Sequence, residues 1–193
     1  VGRMKKLLVA VLVLAAPVGA QAQPEFAYYG VSLGSMDYSE ELFDTELFGD
    51  TVGAWYLMVG YQFMEHLTVE GGYGQSKTIK ATNSEFFEPP LQFRGDFRIL
   101  SIRLLGVLPF DNGLSLLGGI AYSDMKQDFE ITDGIDRLSS DRSSNEPGLY
   151  LAAQYNWDRF AVRIAFDKRD FGDSPFGEIA EIRERSLSFF YKL

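Results

Sequence analysis

The 193-residue sequence has no cysteine and only one histidine, His66. Without cysteine there is no disulfide framework, no thiolate metal site and no cysteine nucleophile. Basic residues are scarce, 18 against 27 acidic ones, for a net charge of −9. That balance argues against nucleic acid as a partner and against a polybasic membrane-surface role. Long apolar runs are missing too. Beyond the N-terminal segment, none reaches the ~20 residues a transmembrane helix needs. If the chain spans a membrane, it does so with strands.

The N-terminal segment has the parts of a cleavable signal peptide. Met4-Lys5-Lys6 precedes an apolar run from Leu7 to Ala16, and Ala20-Gln21-Ala22 has the small-x-small form of a signal peptidase site. Val1-Gly2-Arg3 reads as an upstream-start extension, with Met4 the natural start. The predicted division is residues 1–22 as signal peptide, cut after Ala22 at a site formed by Ala20 and Ala22, and 23–193 as one barrel domain. Losing Arg3, Lys5 and Lys6 and no acid leaves 15 basic against 27 acidic residues, a net charge of −12. The competing reading, an uncleaved anchor, needs a longer apolar run.

The remainder alternates with a period of two. Trp55, Leu57, Val59, Tyr61 and Phe63 alternate with Tyr56, Met58, Gly60 and Gln62. Leu187, Phe189, Tyr191 and Leu193 share one face of a final aromatic-rich strand. Eight strands are predicted, near 27–38, 53–63, 67–79, 93–109, 113–129, 148–157, 160–171 and 182–193. Tight turns at Met64-Glu65-His66, Phe110-Asp111-Asn112 and Trp157-Asp158-Arg159 alternate with longer polar connections at 39–52, 80–92, 130–147 and 172–181. In an up-and-down barrel this places the long loops at one rim, with the short turns and both termini at the other. Outer-membrane barrels have that asymmetry. Aromatics fall in two tiers. Tyr29, Tyr61, Phe63, Tyr155, Trp157, Phe160 and Tyr191 lie near the short turns, and Trp55, Tyr73, Tyr122 and Phe166 nearer the long loops. Two girdles are expected where rings meet two membrane interfaces. Asp124, Lys126 and Asp128 fall in phase with outward Leu116, Gly118, Ile120 and Tyr122. Either a bulge breaks the phase or this hairpin projects beyond the bilayer, and the cost of charge on a lipid-facing surface favours projection.

In these features the chain resembles small bacterial outer-membrane β-barrel proteins of the OmpA, OmpX and opacity-protein type. The segment Val59-Gly60-Tyr61-Gln62-Phe63, leading into a tight turn, is similar to the second strand of many of them. The resemblance spans the whole mature chain and rests on pattern. It implies an all-β fold, an eight-stranded antiparallel up-and-down transmembrane β-barrel after a cleavable signal peptide, exported through the Sec pathway to the outer membrane of a Gram-negative bacterium. It implies outer-membrane lipid and lipopolysaccharide as surroundings, a monomer, and the barrel-assembly machinery as a partner in biogenesis. That machinery would read Leu187, Phe189, Tyr191 and Leu193, although the family usually ends in an aromatic. No peptidoglycan-binding domain follows the barrel, so the anchoring role of larger OmpA proteins is not implied.

An eight-stranded barrel has an interior just wide enough for side chains. Glu70, Arg103, Arg163, Asp167 and Lys192 face inward by parity, as do Gln62, Gln154 and Asn156. Unpaired buried charge is costly, so these five charged residues are expected to form a network that fills the lumen. The competing reading leaves some of them solvated at the rims. The acidic loop 39–52 reads as a surface patch for a partner or a cation, or as a solvated tip. Its spacing is not that of an EF-hand. All four long loops are candidate contacts for a surface partner. His66 lies in a turn at the short-turn rim and reads as a solvated turn residue. No catalytic residue, cofactor or metal site is predicted, because no base stands near a nucleophile on the outer side. A lipid-modifying enzyme is thus the weaker alternative to a structural or adhesion-like barrel. A soluble lipocalin-like periplasmic carrier of an apolar ligand is the other, with the apolar face turned inward.

Overall fold

A computed structural model describes residues 25–42, 45–83, 88–173 and 179–193, so the predicted signal peptide with Ala20 and Ala22 lies outside the described residues. These form nine strands: β1 (Phe26–Leu42), β2 (Thr45–Met64), β3 (Leu67–Ser76), β4 (Ile79–Asn83), β5 (Leu91–Pro109), β6 (Leu114–Thr132), β7 (Arg137–Trp157), β8 (Phe160–Asp173) and β9 (Ile179–Lys192). All pairings are antiparallel, and β3 pairs with β5 to close the sheet on itself. The third stave is β3 followed by β4. It breaks at Lys77-Thr78, where the Lys77 N–H donates to the Gly53 carbonyl at 2.7 Å. The predicted unbroken strand 67–79 is therefore two strands of one stave, and the barrel has eight staves.

The short turns form where expected, and local chemistry shapes them. Gly113 follows Asp111-Asn112 with a φ of 84°, a left-handed conformation glycine adopts without cost. A Cβ there would come within 2.7 Å of the Asn156 carbonyl. Asp158, the non-glycine residue at φ 47°, makes the β7–β8 turn, a conformation Asp tolerates better than most side chains.

The long connections differ from expectation. Ser39 pairs with Gly49, Thr132 with Arg137, and Asp173 with Ile179. Most of 39–52 and 130–147, and part of 80–92 and 172–181, is thus hairpin rather than loop. The 19 residues of β6 run ~60 Å, or ~45 Å along the axis at a tilt of ~40°, against an outward apolar band ~25 Å tall. The ladder between β5 and β6 runs from Gln92↔Thr132 to Pro109↔Ser115 without a register shift. No bulge turns Asp124, Lys126 and Asp128 inward. They continue the outward face past the apolar band.

Candidate functional site

Two zones follow from the parity of the strands. In the half next to the short turns, polar side chains face in and apolar ones out. Val31, Leu57, Ile102, Leu151 and Ile164 lie on the outer wall, Ile164 at 68% exposure. A carrier around an apolar ligand needs the opposite arrangement. Aromatic contacts lie at both edges of this band. Tyr29–Tyr191 (5.7 Å), Phe160–Tyr191 (5.5 Å) and Trp157–Phe160 (6.2 Å) lie near the short turns, and Trp55–Tyr73 (6.1 Å) lies at the other edge.

Inside this band sits a charged cluster built from strands that the barrel brings together. Register places Glu70 beside Arg103, and Asp167 beside Glu184. Arg163 Nη1 donates to Glu70 Oε1 at 2.6 Å, and the Tyr28 hydroxyl donates to the same oxygen at 2.5 Å. Arg163 also donates through Nε to Gln154 at 2.8 Å and stacks its guanidinium 4.4 Å from the Phe190 ring. Arg169 Nη2 reaches Asp167 Oδ2 at 2.6 Å and Glu184 Oε2 at 3.0 Å, and the Tyr56 hydroxyl donates to Glu184 at 2.5 Å. Arg103 joins the halves, 3.4 Å from Asp167 and 3.9 Å from Glu70, with its guanidinium 4.6 Å from the Tyr150 ring. All six charged groups are buried. Three arginines against three carboxylates make the set neutral, which limits the cost of burying it.

Glycines opposite the tyrosines give them room. A Cβ at Gly60 would lie 2.2 Å from Tyr28 Cζ, and one at Gly74 2.1 Å from Tyr56 Cδ1. Above the cluster the lumen turns apolar, with Met36, Tyr38, Phe93, Phe97, Ile99, Met125 and Ile182 packed across it. Below it, a pocket of about 20 Å³ lined by Phe26, Gln62, Gln154 and Lys192, among others, has room for about one water.

Beyond the upper aromatic edge the outer wall becomes charged. Arg98 pairs with Asp128 (2.5 Å), Arg185 with Asp37 (3.3 Å), and Lys168 with Glu181 (2.5 Å), while Arg183 also contacts Glu181. The projecting half thus has the faces of a soluble β-protein, apolar inside and charged outside, with the β7–β8 ladder described only up to Gly148↔Arg169.

Of the five predicted interior charges, the structure brings together Glu70, Arg103, Arg163 and Asp167. Lys192 lies apart at the short-turn rim, half-buried, its ammonium 5.5 Å from the Phe26 ring. Arg169 and Glu184 complete the cluster and were missed. They share parity with Asp167 and Ser188, which was the available signal. Leu187, Phe189 and Leu193 are exposed on the outer wall, and Tyr191, on the same face, is half-buried. His66 is more than a solvated turn residue. It is partly buried, with Nδ1 3.1 Å from the Val107 carbonyl. In the hairpin tip 39–52 the backbone is described except at 43–44, and the side chains of 40–49 lie outside the described residues.

Comparison with known proteins agrees with this architecture. A search of curated proteins found no match. The Neisserial surface protein A structure aligns with a TM-score of 0.63 at 12% identity, covering 90% of this chain and 100% of that one. Ail, the attachment invasion locus protein of Yersinia pestis, aligns at 0.55 and 18%, covering 86% and 99%. The N-terminal β-barrel domain of Pseudomonas aeruginosa OprF aligns at 0.54 and 10%, covering 90% and 100%. At these identities the likeness is one of fold. Residues 7–189 match the family described as outer membrane protein beta-barrel domain, and the chain belongs to that family.

Proposed function

We propose that this protein is exported by a signal peptide over residues 1–22 and inserted through its last strand by the barrel-assembly machinery. In the outer membrane it stands as a closed monomeric barrel with a structural and adhesion-like role. Its working surface is the projecting half at the long-hairpin end, which faces the cell exterior, and its lumen neither conducts nor catalyses.

The observation that carries this reading is the division of labour along the barrel. The lumen is filled by a neutral charged cluster under an apolar plug. The long hairpins build a charged outer wall over a packed apolar interior. A rigid scaffold that lifts a polar surface away from lipid is suited to recognition. Ail, named for attachment and invasion, shares the fold.

Two measurements test the proposal. Cells displaying the intact protein should adhere to a protein-coated surface, and cells displaying a version with all four hairpins shortened to the upper aromatic edge should not, at equal outer-membrane abundance. Equal adherence would refute the surface role. In planar bilayers the refolded protein should show no large, stable conductance, and such an opening would refute the closed lumen.

A further inference from the structure

We propose that the outer wall holds one glycerophospholipid with a zwitterionic headgroup at the short-turn rim. An acyl chain lies in an apolar groove across β2, β1, β9 and β8, and the phosphate meets Arg159. That this lipid belongs to the periplasmic leaflet rests on the orientation proposed above.

The groove has a volume of about 400 Å³ and is walled by Tyr29, Val31, Leu57, Phe160, Phe189 and Tyr191. These residues share the outward parity. Between them, Met58 and Phe190 turn inward and are buried, and Gly30 has no side chain. The floor is therefore main chain and the walls are side chains. Register holds this relief in place. Val31 pairs with Leu57 and Phe189, and Tyr191 pairs with Tyr29 and Phe160. The Tyr191 ring is fixed between those of Tyr29 at 5.7 Å and Phe160 at 5.5 Å. In a bilayer such a recess does not stay empty, because its walls would lose their dispersion contacts. Any acyl chain can fill it, so the headgroup decides which lipid stays.

The headgroup end is a separate observation. Of the three short turns, the β7–β8 turn is the one that carries an arginine or lysine. Among the described residues at this rim, Arg159 is the exposed cation, while Lys192 is half-buried and turned into the lumen. Arg159 Nη1 donates to the Tyr191 hydroxyl at 3.2 Å, so a wall of the groove holds the guanidinium at its mouth. The side chain makes no ion pair among the described residues, and the rest of its N–H fork is open to an acceptor. That fork matches the oxygens of a phosphate.

Acids select the rest of the headgroup. Asp158 precedes Arg159 in the turn, and on the β2 side the Tyr61 hydroxyl donates to Glu25 at 2.6 Å. Both carboxylates are exposed. They repel a headgroup that is anionic overall. A headgroup with an ammonium beyond its phosphate, as in phosphatidylethanolamine, answers both signs.

The two tryptophans provide the test. Trp157 stacks 6.2 Å from Phe160 at the groove, and Trp55 lies beside Tyr73 at the opposite edge of the apolar band. The full chain is reconstituted in phosphatidylcholine vesicles carrying a minor fraction of one brominated lipid: phosphatidylethanolamine, phosphatidylglycerol or diacylglycerol. Quenching is read from Trp157 in a Trp55→Phe protein, and from Trp55 in a Trp157→Phe protein as the reference. Relative to Trp55, Trp157 should prefer phosphatidylethanolamine about threefold over each of the others, the scale of one exposed ion pair. Arg159→Gln should abolish the preference over diacylglycerol, which lacks the phosphate, and Arg159→Lys should keep it. Asp158→Asn with Glu25→Gln should abolish the preference over phosphatidylglycerol. Equal preferences at the two tryptophans would overturn the proposal, as would a preference over diacylglycerol that survives Arg159→Gln. Stronger quenching of Trp157 by phosphatidylglycerol would overturn the zwitterionic assignment. These vesicles have the same lipids in both leaflets, so the result does not depend on which rim faces the cell exterior. Surface labelling of intact cells that missed the long hairpins would refute the orientation and leave the site standing.

Discussion

Replacing Glu70 by alanine should destabilise the barrel by ~3–5 kcal/mol, the cost of leaving a buried charge without its partner. Glu70 Oε1 accepts from both Arg163 at 2.6 Å and Tyr28 at 2.5 Å, and Glu70 Oε2 lies 3.9 Å from Arg103. The substitution changes the lumen from three arginines against three carboxylates to three against two. Gln154, the Tyr150 hydroxyl and the Phe190 ring still surround Arg163. None of them carries a compensating negative charge. The double variant Glu70→Leu with Arg163→Leu should recover most of the loss, since an apolar pair of similar volume can replace a buried ion pair at little cost. Reversible urea unfolding in detergent micelles, followed by tryptophan fluorescence and by gel mobility of unheated samples, gives the free energies for this cycle. A Glu70→Ala loss within ~1 kcal/mol, the value for solvated pairs, would refute the reasoning.

Other expectations follow from the same geometry. Gly60→Ala and Gly74→Ala should each cost ~1–3 kcal/mol by overpacking, because their Cβ atoms would strike Tyr28 and Tyr56. Gly71→Ala, on the outer face with its nearest atom at 3.7 Å, should cost far less in the same unfolding assay. Asp133 is held below the usual carboxylate range by the Asp136 and Ile135 N–H groups. Its contribution to tip order is therefore complete above the ordinary carboxylate pKa and lost as pH falls through the lowered value. Loss of amide protection, relative to the intrinsic exchange rate at each pH, at Ile135 and Asp136 of the β6–β7 tip on acidification, absent from a control with Asp133→Ala, checks this. Glu181 is lowered by its hydrogen bond to Lys168, with Arg183 adding to the effect. The β8–β9 hairpin should loosen over the same acid range, and an unchanged protection factor at the Glu181 amide there would contradict it.

Period-two alternation made the staves, short turns and aromatic girdles legible in the sequence, because each depends on local spacing. The hairpin extensions were legible at Asp124, Lys126 and Asp128, where charge in phase with outward apolar residues favoured projection, and not in the other connections. Above the upper girdle the inward residues of β5 change from Arg103 to Ile99, Phe97 and Phe93, and the outward ones from Leu100 to Arg98 and Arg94. Parity is unbroken, but the environment outside changes from lipid to water. Hydrophobicity alone then reads Ile99 to Leu108 as apolar on both faces, although the predicted strand 93–109 already extends through Arg94 and Arg98. The lumen cluster was partly legible for a related reason. Parity points Glu70, Arg103, Arg163 and Asp167 inward, but axial height and partner depend on the stagger between staves. That stagger puts Lys192 at the rim and brings Arg169 and Glu184 into the set.

The central claim is that one continuous outer face passes from lipid to water at the upper aromatic girdle. The lack of native cysteine lets single labels report on it. Ile120→Cys and Lys126→Cys, both on the outer face of β6, should be labelled with a spin probe in bilayers. Ile120→Cys should be relaxed by oxygen dissolved in the lipid and shielded from a water-soluble nickel reagent, and Lys126→Cys should show the reverse. Equal access of the aqueous reagent to both positions would contradict the account.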